Sequence, residues 1–139
     1  MTKLPESSVL IDTSFFKAIL DEKDDFYKEA IKVWDKLRRE HASLATSNYI
    51  LDETFTLIRK RRGISKAEEF RRLLINNAAN IKIVRVTATD EGKAWNWFLK
   101  KWSNLSFTDC VSFAVMERLG LRRVATFDHH FSRAGFQTE

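Results

Sequence analysis

One cysteine, one proline and four glycines are spread over 139 residues. The lone Cys110 excludes an internal disulfide and suits a reducing compartment. With only three histidines beside it (His41, His129 and His130), a structural Cys/His zinc site is not expected. The scarcity of glycine and proline argues against collagen-like, linker-rich and many-turned all-β chains. Gly63, Gly92, Gly120 and Gly135 stand too far apart for G-x-G-x-x-G. There is no G-x-x-x-x-G-K-[ST] loop and no G-x-S-x-G elbow, so nucleotide cradling and serine-hydrolase chemistry are disfavoured. No uncharged stretch is long enough to cross a bilayer. Met1 to Glu6 contains no apolar signal region, and a cytoplasmic protein without membrane contact is expected.

Hydrophobic residues make up 44% and charged residues 31%, the balance of a globular chain. The length fits a single domain over residues 1–139. A net charge of +5 suits an anionic partner, although solubility alone accounts for it equally well.

Short apolar runs alternate with longer amphipathic segments. Val9-Leu10-Ile11, residues 43–46, Ile81 to Val86 and Val124 to Thr126 read as strands, and Gly135-Phe136 opens a last short one. Tyr27, Ala30, Ile31, Trp34 and Leu37 share a helical face. Ser47 caps a helix that ends at Arg59-Lys60-Arg61-Arg62 and Gly63. Ser65-Lys66-Ala67-Glu68 reads as a capping box. A helix from about Thr89 to Trp102 follows, then one from Ser106 to Gly120 that is apolar nearly all round. Strands separated by helices imply parallel pairing through right-handed crossovers. The expected fold is an α/β three-layer sandwich, a short-stranded parallel sheet flanked by helices.

Ligands of open parallel sheets sit at the carboxyl ends of the strands, so the acids there matter most. Asp12 follows the first strand and Asp128 lies just beyond the fourth. Asp109 is in the first turn of the apolar helix, and Glu53 lies among apolar neighbours on the helix after the second strand. Singly, each has an ordinary reading as a turn residue, a dipole partner or a solvated helix residue. Together they form four carboxylates at one sheet edge, and such a cluster needs a counter-charge. Oxygen ligands select a hard cation, Mg²⁺ or Mn²⁺. Cys110 reads as buried packing rather than a nucleophile, and adjacent His129 and His130 point different ways rather than to one metal.

Ile11-Asp12-Thr13-Ser14, the internal Glu53, Ser106-Phe107-Thr108-Asp109-Cys110 and Thr126-Phe127-Asp128-His129-His130-Phe131 resemble the acidic motifs of the PIN-domain family. Order and spacing match over nearly the whole chain, and the last two stretches are the most specific. The length resembles the stand-alone PIN proteins of bacteria and archaea, many of them VapC-type toxins of toxin–antitoxin pairs. The resemblance implies a Mg²⁺- or Mn²⁺-dependent endoribonuclease, with Asp12, Glu53, Asp109 and Asp128 as the catalytic and metal-holding acids. Thr13, Ser14, Ser106 and Thr108 become supporting hydroxyls. It also implies an RNA substrate, a cognate antitoxin and a homodimer. The chain departs from the pattern in its short final strand.

Two other readings stand beside this one: a catalytically silent RNA-binding or scaffold module, and a non-toxin PIN nuclease of RNA processing. A phosphoacceptor domain is disfavoured, because Val86-Thr87 and Val124-Ala125-Thr126 supply neither its Asp nor its Lys. Arg59, Lys60, Arg61 and Arg62 form the densest basic run and are the candidate RNA contacts. Trp95 and Trp102 are expected in the core. Trp34 and Trp97 are assigned to a dimer or antitoxin groove, with Tyr27 and Phe55 as further apolar partner contacts.

Overall fold

The computed structural model describes residues 4–139. Met1 to Lys3, part of the stretch read above for a signal region, lie outside the described residues. Five strands form one parallel sheet: β1 (Val9–Ile11), β2 (Leu44–Ser47), β3 (Ile81–Val84), β4 (Arg123–Ala125) and β5 (Gln137–Thr138), in the order β3-β2-β1-β4-β5. β1 is central, wholly buried and short because it needs only to bridge its neighbours. Val9 pairs with Leu44 on one side and Arg123 on the other, and Ile11 pairs with Ala125.

Between the strands run α1 (Thr13–Leu20), α2 (Tyr27–Arg39), α3 (Asn48–Arg62), α4 (Ile64–Asn76), α5 (Ala88–Phe98), α6 (Phe107–Leu119) and α7 (His130–Arg133). Successive connections move outward from β1 to β2 and β3, then cross back to β4 and β5. Right-handed crossovers therefore put α1–α4 on one face and α5–α7 on the other. The helix contacts follow this division: α1 meets α2, α3 and α4, while α6 meets α5 and α7. The three-layer α/β sandwich expected from the sequence is the one formed. Its core gathers Leu10, Ile11, Phe15, Phe16, Phe70 and Phe113, all buried.

The helix boundaries have local causes. Ser47 Oγ accepts from Ile50 N at 3.2 Å and starts α3. Gly63, at φ 89°, ends α3 and is also the residue before α4. The next helix therefore begins at Ile64, and Ser65 is inside it, not the cap of the capping box read from the sequence. A true capping box opens α5, where Thr87 and Asp90 exchange side-chain-to-backbone bonds at 3.1 and 2.9 Å. β3 stops at Val84, short of Val86, because Val86 N leaves the ladder to donate to Asn48 Oδ1 at 2.9 Å. α5 stops at Phe98, so Trp102 lies in the loop before α6. The last strand falls at Gln137–Thr138, just after Gly135-Phe136, and is as short as expected.

Two tryptophan assignments are reversed in α5. Trp97 packs edge-on against Phe113 at 5.1 Å, whereas Trp34, on α2, is 7% exposed but lines a surface cleft with Ile19, Arg38 and Leu73, and Trp102 is half-buried against the core as expected. Trp95 is 52% exposed, and Phe98 and Leu99 are exposed beside it. Phe55 is half-buried against Phe70, and Tyr27 is half-buried. The twist of a helix decides this. From Ala94, the one fully buried apolar residue of α5, Trp95 is rotated by about 100° toward solvent.

Candidate active site

The strand order reverses between β1 and β4, and the crevice beyond the carboxyl ends of such a pair is where open α/β sheets bind ligands. Asp12 leaves β1 there as the residue preceding α1, and Thr126 leaves β4 beside it. Asp12 N donates to Ala125 O at 3.1 Å, which locks the two strand ends together. Thr126 Oγ1 and Ser14 Oγ both donate to Asp12 Oδ2, at 2.9 and 3.0 Å. Ser14 Oγ in turn accepts from Phe127 N, and Thr126 Oγ1 accepts from Asp128 N, each at 2.9 Å. Two hydroxyls thus orient one carboxylate oxygen and shape the turn that carries Asp128. The second oxygen, Asp12 Oδ1, is buried with no hydrogen-bond partner.

Asp109 enters from the first turn of α6. Ser106 Oγ caps that turn by accepting from Asp109 N at 3.0 Å, and the carboxylate is buried. Burial comes first in pushing its pKa up to about 8; the neighbouring charges of Asp12 and Asp128 add to the shift. Asp12 is raised to about 6, again chiefly by burial, against the downward pull of Thr126, Ser14 and the Thr13 backbone. Two buried acids with raised pKa values beside a third carboxylate are a site short of positive charge.

His130 is the functional candidate that sequence reasoning passed over. The one-turn helix α7 turns it inward while leaving His129 exposed. Its Nε2 donates to Ser103 O at 2.8 Å, which directs Nδ1 at the acids. Nδ1 sits 2.7 Å from Asp128 Oδ1, outside hydrogen-bonding alignment, and 3.9 Å from Asp109 Oδ2. Asp128, His129 and His130 place ligand atoms within 4.8 Å of one another and the two imidazole rings lie 4.2 Å apart, which overturns the expectation that the adjacent histidines point away from a common metal: the turn entering α7 brings both side chains to Asp128. Thr126, quoted in the last acidic motif but given no role there, is the other omission. No sequence signal distinguishes its hydroxyl from that of any threonine at a strand end.

The structure brings Asp12, Asp109 and Asp128 together. Glu53 lies half-buried on α3, one residue before Thr54, whose hydroxyl donates to Thr13 Oγ1 at 3.2 Å. Of the expected hydroxyls, Ser14 touches Asp12, Ser106 caps the Asp109 turn, and Thr13 bridges α1 to α3. Thr108 gives its backbone carbonyl to Ser112 Oγ at 2.8 Å. Arg59, Lys60 and Arg61 are exposed in the last turn of α3, about 9–12 Å along the helix from Glu53. Arg62 is half-buried, with Nε 3.3 Å from Asp21 Oδ1. Cys110 is buried, and burial together with Asp109 raises its thiol to about 11, which removes it as a nucleophile. A divalent cation fits this donor set: hard oxygen ligands, an orphaned buried carboxylate oxygen, and excess negative charge.

Known proteins share the sequence pattern and the fold. The model of the PIN domain matches residues 9–137. A 23S rRNA-specific endonuclease of Mycobacterium tuberculosis, VapC20, is 33% identical over 129 residues, covering 92% of this chain and 95% of the relative. The crystal structure of VapC20, described as a Sarcin-Ricin loop cleaving toxin, superposes with a TM-score of 0.81 at 32% identity over 92% of this chain and 95% of that one. VapBC2 from Rickettsia felis, bound to a DNA fragment from its promoter, shares the fold alone, at a TM-score of 0.66 and 13% identity over 95% of this chain and 97% of its own. This chain, with its parallel sheet and its acids gathered at the β1–β4 crevice, belongs to the PIN-domain family.

Proposed function

We propose that the chain is a Mg²⁺- or Mn²⁺-dependent endoribonuclease and the toxin of a toxin–antitoxin pair, acting in the cytoplasm. The observation that carries this reading is the trio Asp12, Asp109 and Asp128, buried or half-buried at one crevice with their charge uncompensated. These three, with Glu53 from α3, would hold the cation. A bound divalent ion supplies charge compensation for a phosphodiester and lowers the pKa of a bound water. The chain's own hydroxyls do the positioning. Ser14 and Thr126 fix Asp12 so that Oδ1 faces the ligand, and Ser106 fixes the helix turn that presents Asp109.

The likeness to VapC20 supports RNA as the substrate and makes 23S ribosomal RNA the first one to test. An antitoxin segment is the partner this reading requires. An Arg or Lys from it would pair with the acids and so compensate their charge. For the homodimer implied by the family, the exposed Trp95, Phe98 and Leu99 offer an apolar surface, which the buried Trp34 does not. The reading of residues 1–139 as one domain completes the proposal.

Cleavage of ribosomal RNA with added Mg²⁺ or Mn²⁺, with EDTA, and with the Asp109→Asn protein tests the reading. Cleavage is expected in the first condition and none in the other two. Activity that persists in EDTA or in Asp109→Asn rules the mechanism out. Growth arrest on expression, relieved by Asp12→Asn, tests the toxin assignment separately.

A further inference from the structure

A cavity of about 410 Å³ adjoins the acid cluster and shares Ser14 and Asp128 with it. One wall is aromatic. Phe15 is buried in the core, Phe127 stacks on it at 6.0 Å and 12°, and Phe26 stacks on Phe127 at 4.5 Å and 9°. The ladder runs outward from the core, and its last ring, Phe26, is 43% exposed. Phe26 is held there from below. Its N–H donates to Asp24 Oδ1 at 2.8 Å, and Asp24 Oδ2 receives Lys17 Nζ at 2.5 Å. Asn104, at φ 60°, and the exposed His129 complete the rim with amide and imidazole groups.

A flat ring left in water at the end of a parallel stack, with donors and acceptors around it, suits a planar heteroaromatic ligand. Every nucleobase has a face that stacks on such a platform. Continuity with the acid cluster through Ser14 and Asp128 identifies which one. We propose that this cavity is a nucleobase subsite, taking the base of a nucleotide next to the phosphate held at the acids, with Phe26 as its stacking face. Asn104 and His129 stand at the rim where the base edge would lie, and Lys17, paired with Asp24 and Asp21, holds the floor beneath Phe26. The proposal rests on the ribonuclease reading above and adds to it how the RNA strand is held.

The test uses an RNA stem-loop that the wild-type protein cleaves, and variants of it with single abasic nucleotides on either side of the cleaved bond. In the wild type, one abasic position is expected to raise KM by roughly 5- to 100-fold, the value of one stacked base, with kcat within about twofold. Phe26→Leu keeps the apolar volume but has no ring face. It is expected to show the same rise on intact RNA and no further rise at that abasic position. Phe26→Trp is expected to restore the wild-type KM, with Mn²⁺ affinity, read by calorimetry, unchanged in both variants. An unaltered KM at every abasic position in the wild type overturns the subsite without any variant, and leaves the ribonuclease standing. So does a Phe26→Leu protein that binds intact RNA as the wild type does, or one whose loss adds in full to that of every abasic position. A wild-type protein that cleaves no RNA overturns the ribonuclease reading and this proposal together.

Discussion

Asp90 and Asp109 are both buried aspartates in the first turn of a helix, and the protein treats them in opposite ways. Burial acts to raise the pKa of Asp90, but Arg118 and Thr87 outweigh it and hold the carboxyl below its ordinary value. The Arg118 guanidinium forks onto both carboxylate oxygens at 2.9 Å, and Thr87 closes the capping box. Asp109 receives no cation at all from a basic side chain nearer than the His130 imidazole, and its neighbours are acids. The first arrangement is complete as it stands. The second has no basic partner of that kind, and its carboxyls hold their protons well above the ordinary range instead. A buried acid is therefore informative about function when its charge is left uncompensated, not because it is buried.

Exchanging the two roles is the most direct way to break the comparison. Asp109→Asn and Asp12→Asn should each lower RNA cleavage by more than the roughly 10- to 100-fold that a supporting residue costs. At the same time they should raise the melting temperature of the metal-free protein at pH 8. A lower melting temperature would mean that Asp109 is structural after all. Asp90→Ala should do the reverse. It strands Arg118 and removes the cap, costing about 3 kcal/mol or about 10 °C in melting temperature, while the folded fraction cleaves RNA within a few-fold of wild type.

Metal sharpens the same contrast. At 100 times its dissociation constant, Mn²⁺ should stabilise the wild type and Asp90→Ala alike by about 2.7 kcal/mol, and Asp109→Asn not at all; differential scanning fluorimetry reads this directly. The two aspartates also predict opposite responses to pH. Folding raises the pKa of Asp12 and Asp109, so their folded forms prefer the proton. Their contribution is fully favourable below about pH 4 and is lost as pH rises through about 6 and then about 8. The melting temperature of metal-free protein should fall over that interval, and Asp109→Asn should flatten the fall. Asp90, with its lowered pKa, contributes above its unfolded value and loses that contribution only in stronger acid. The smallest effect concerns the exposed cations. Changing Arg59, Lys60 and Arg61 to Ala should reduce the slope of log K against log salt for single-stranded RNA by about 2. An unchanged slope would leave these residues as a helix terminus.

The acids were legible because strand ends are legible. Val9-Leu10-Ile11 and Val124-Ala125 announce their strands, and Asp12 and Asp128 are placed by the residues before them. Asp109 was placed by its capped, apolar helix. What could not be read was direction at short range. Nothing in His129-His130 says that a single helical turn carries one ring inward and the other out. The tryptophans failed for a related reason. The buried face of α5 centres on Ala94 and not on Trp95, and a shift of one residue turns a helix face by about 100°. Ser65 was misread as a cap because Gly63, at its positive φ, lets the chain leave one helix and enter the next with no intervening loop.

The central position of β1 has a consequence for the order in which the acid cluster is assembled during synthesis. β1 leaves the ribosome more than a hundred residues before its partner β4 is made. Asp12 gains Thr126, and Asp128 arrives, only when that late strand docks. Domains settle from the N-terminus as they are synthesised, but this crevice is assembled from two strands far apart in sequence. A nascent chain halted anywhere before β4 carries Asp12, Glu53 and even Asp109 without a crevice to hold them. Translation itself thus acts as a timer, because the acid cluster cannot exist until β4 has followed β1 by more than a hundred residues.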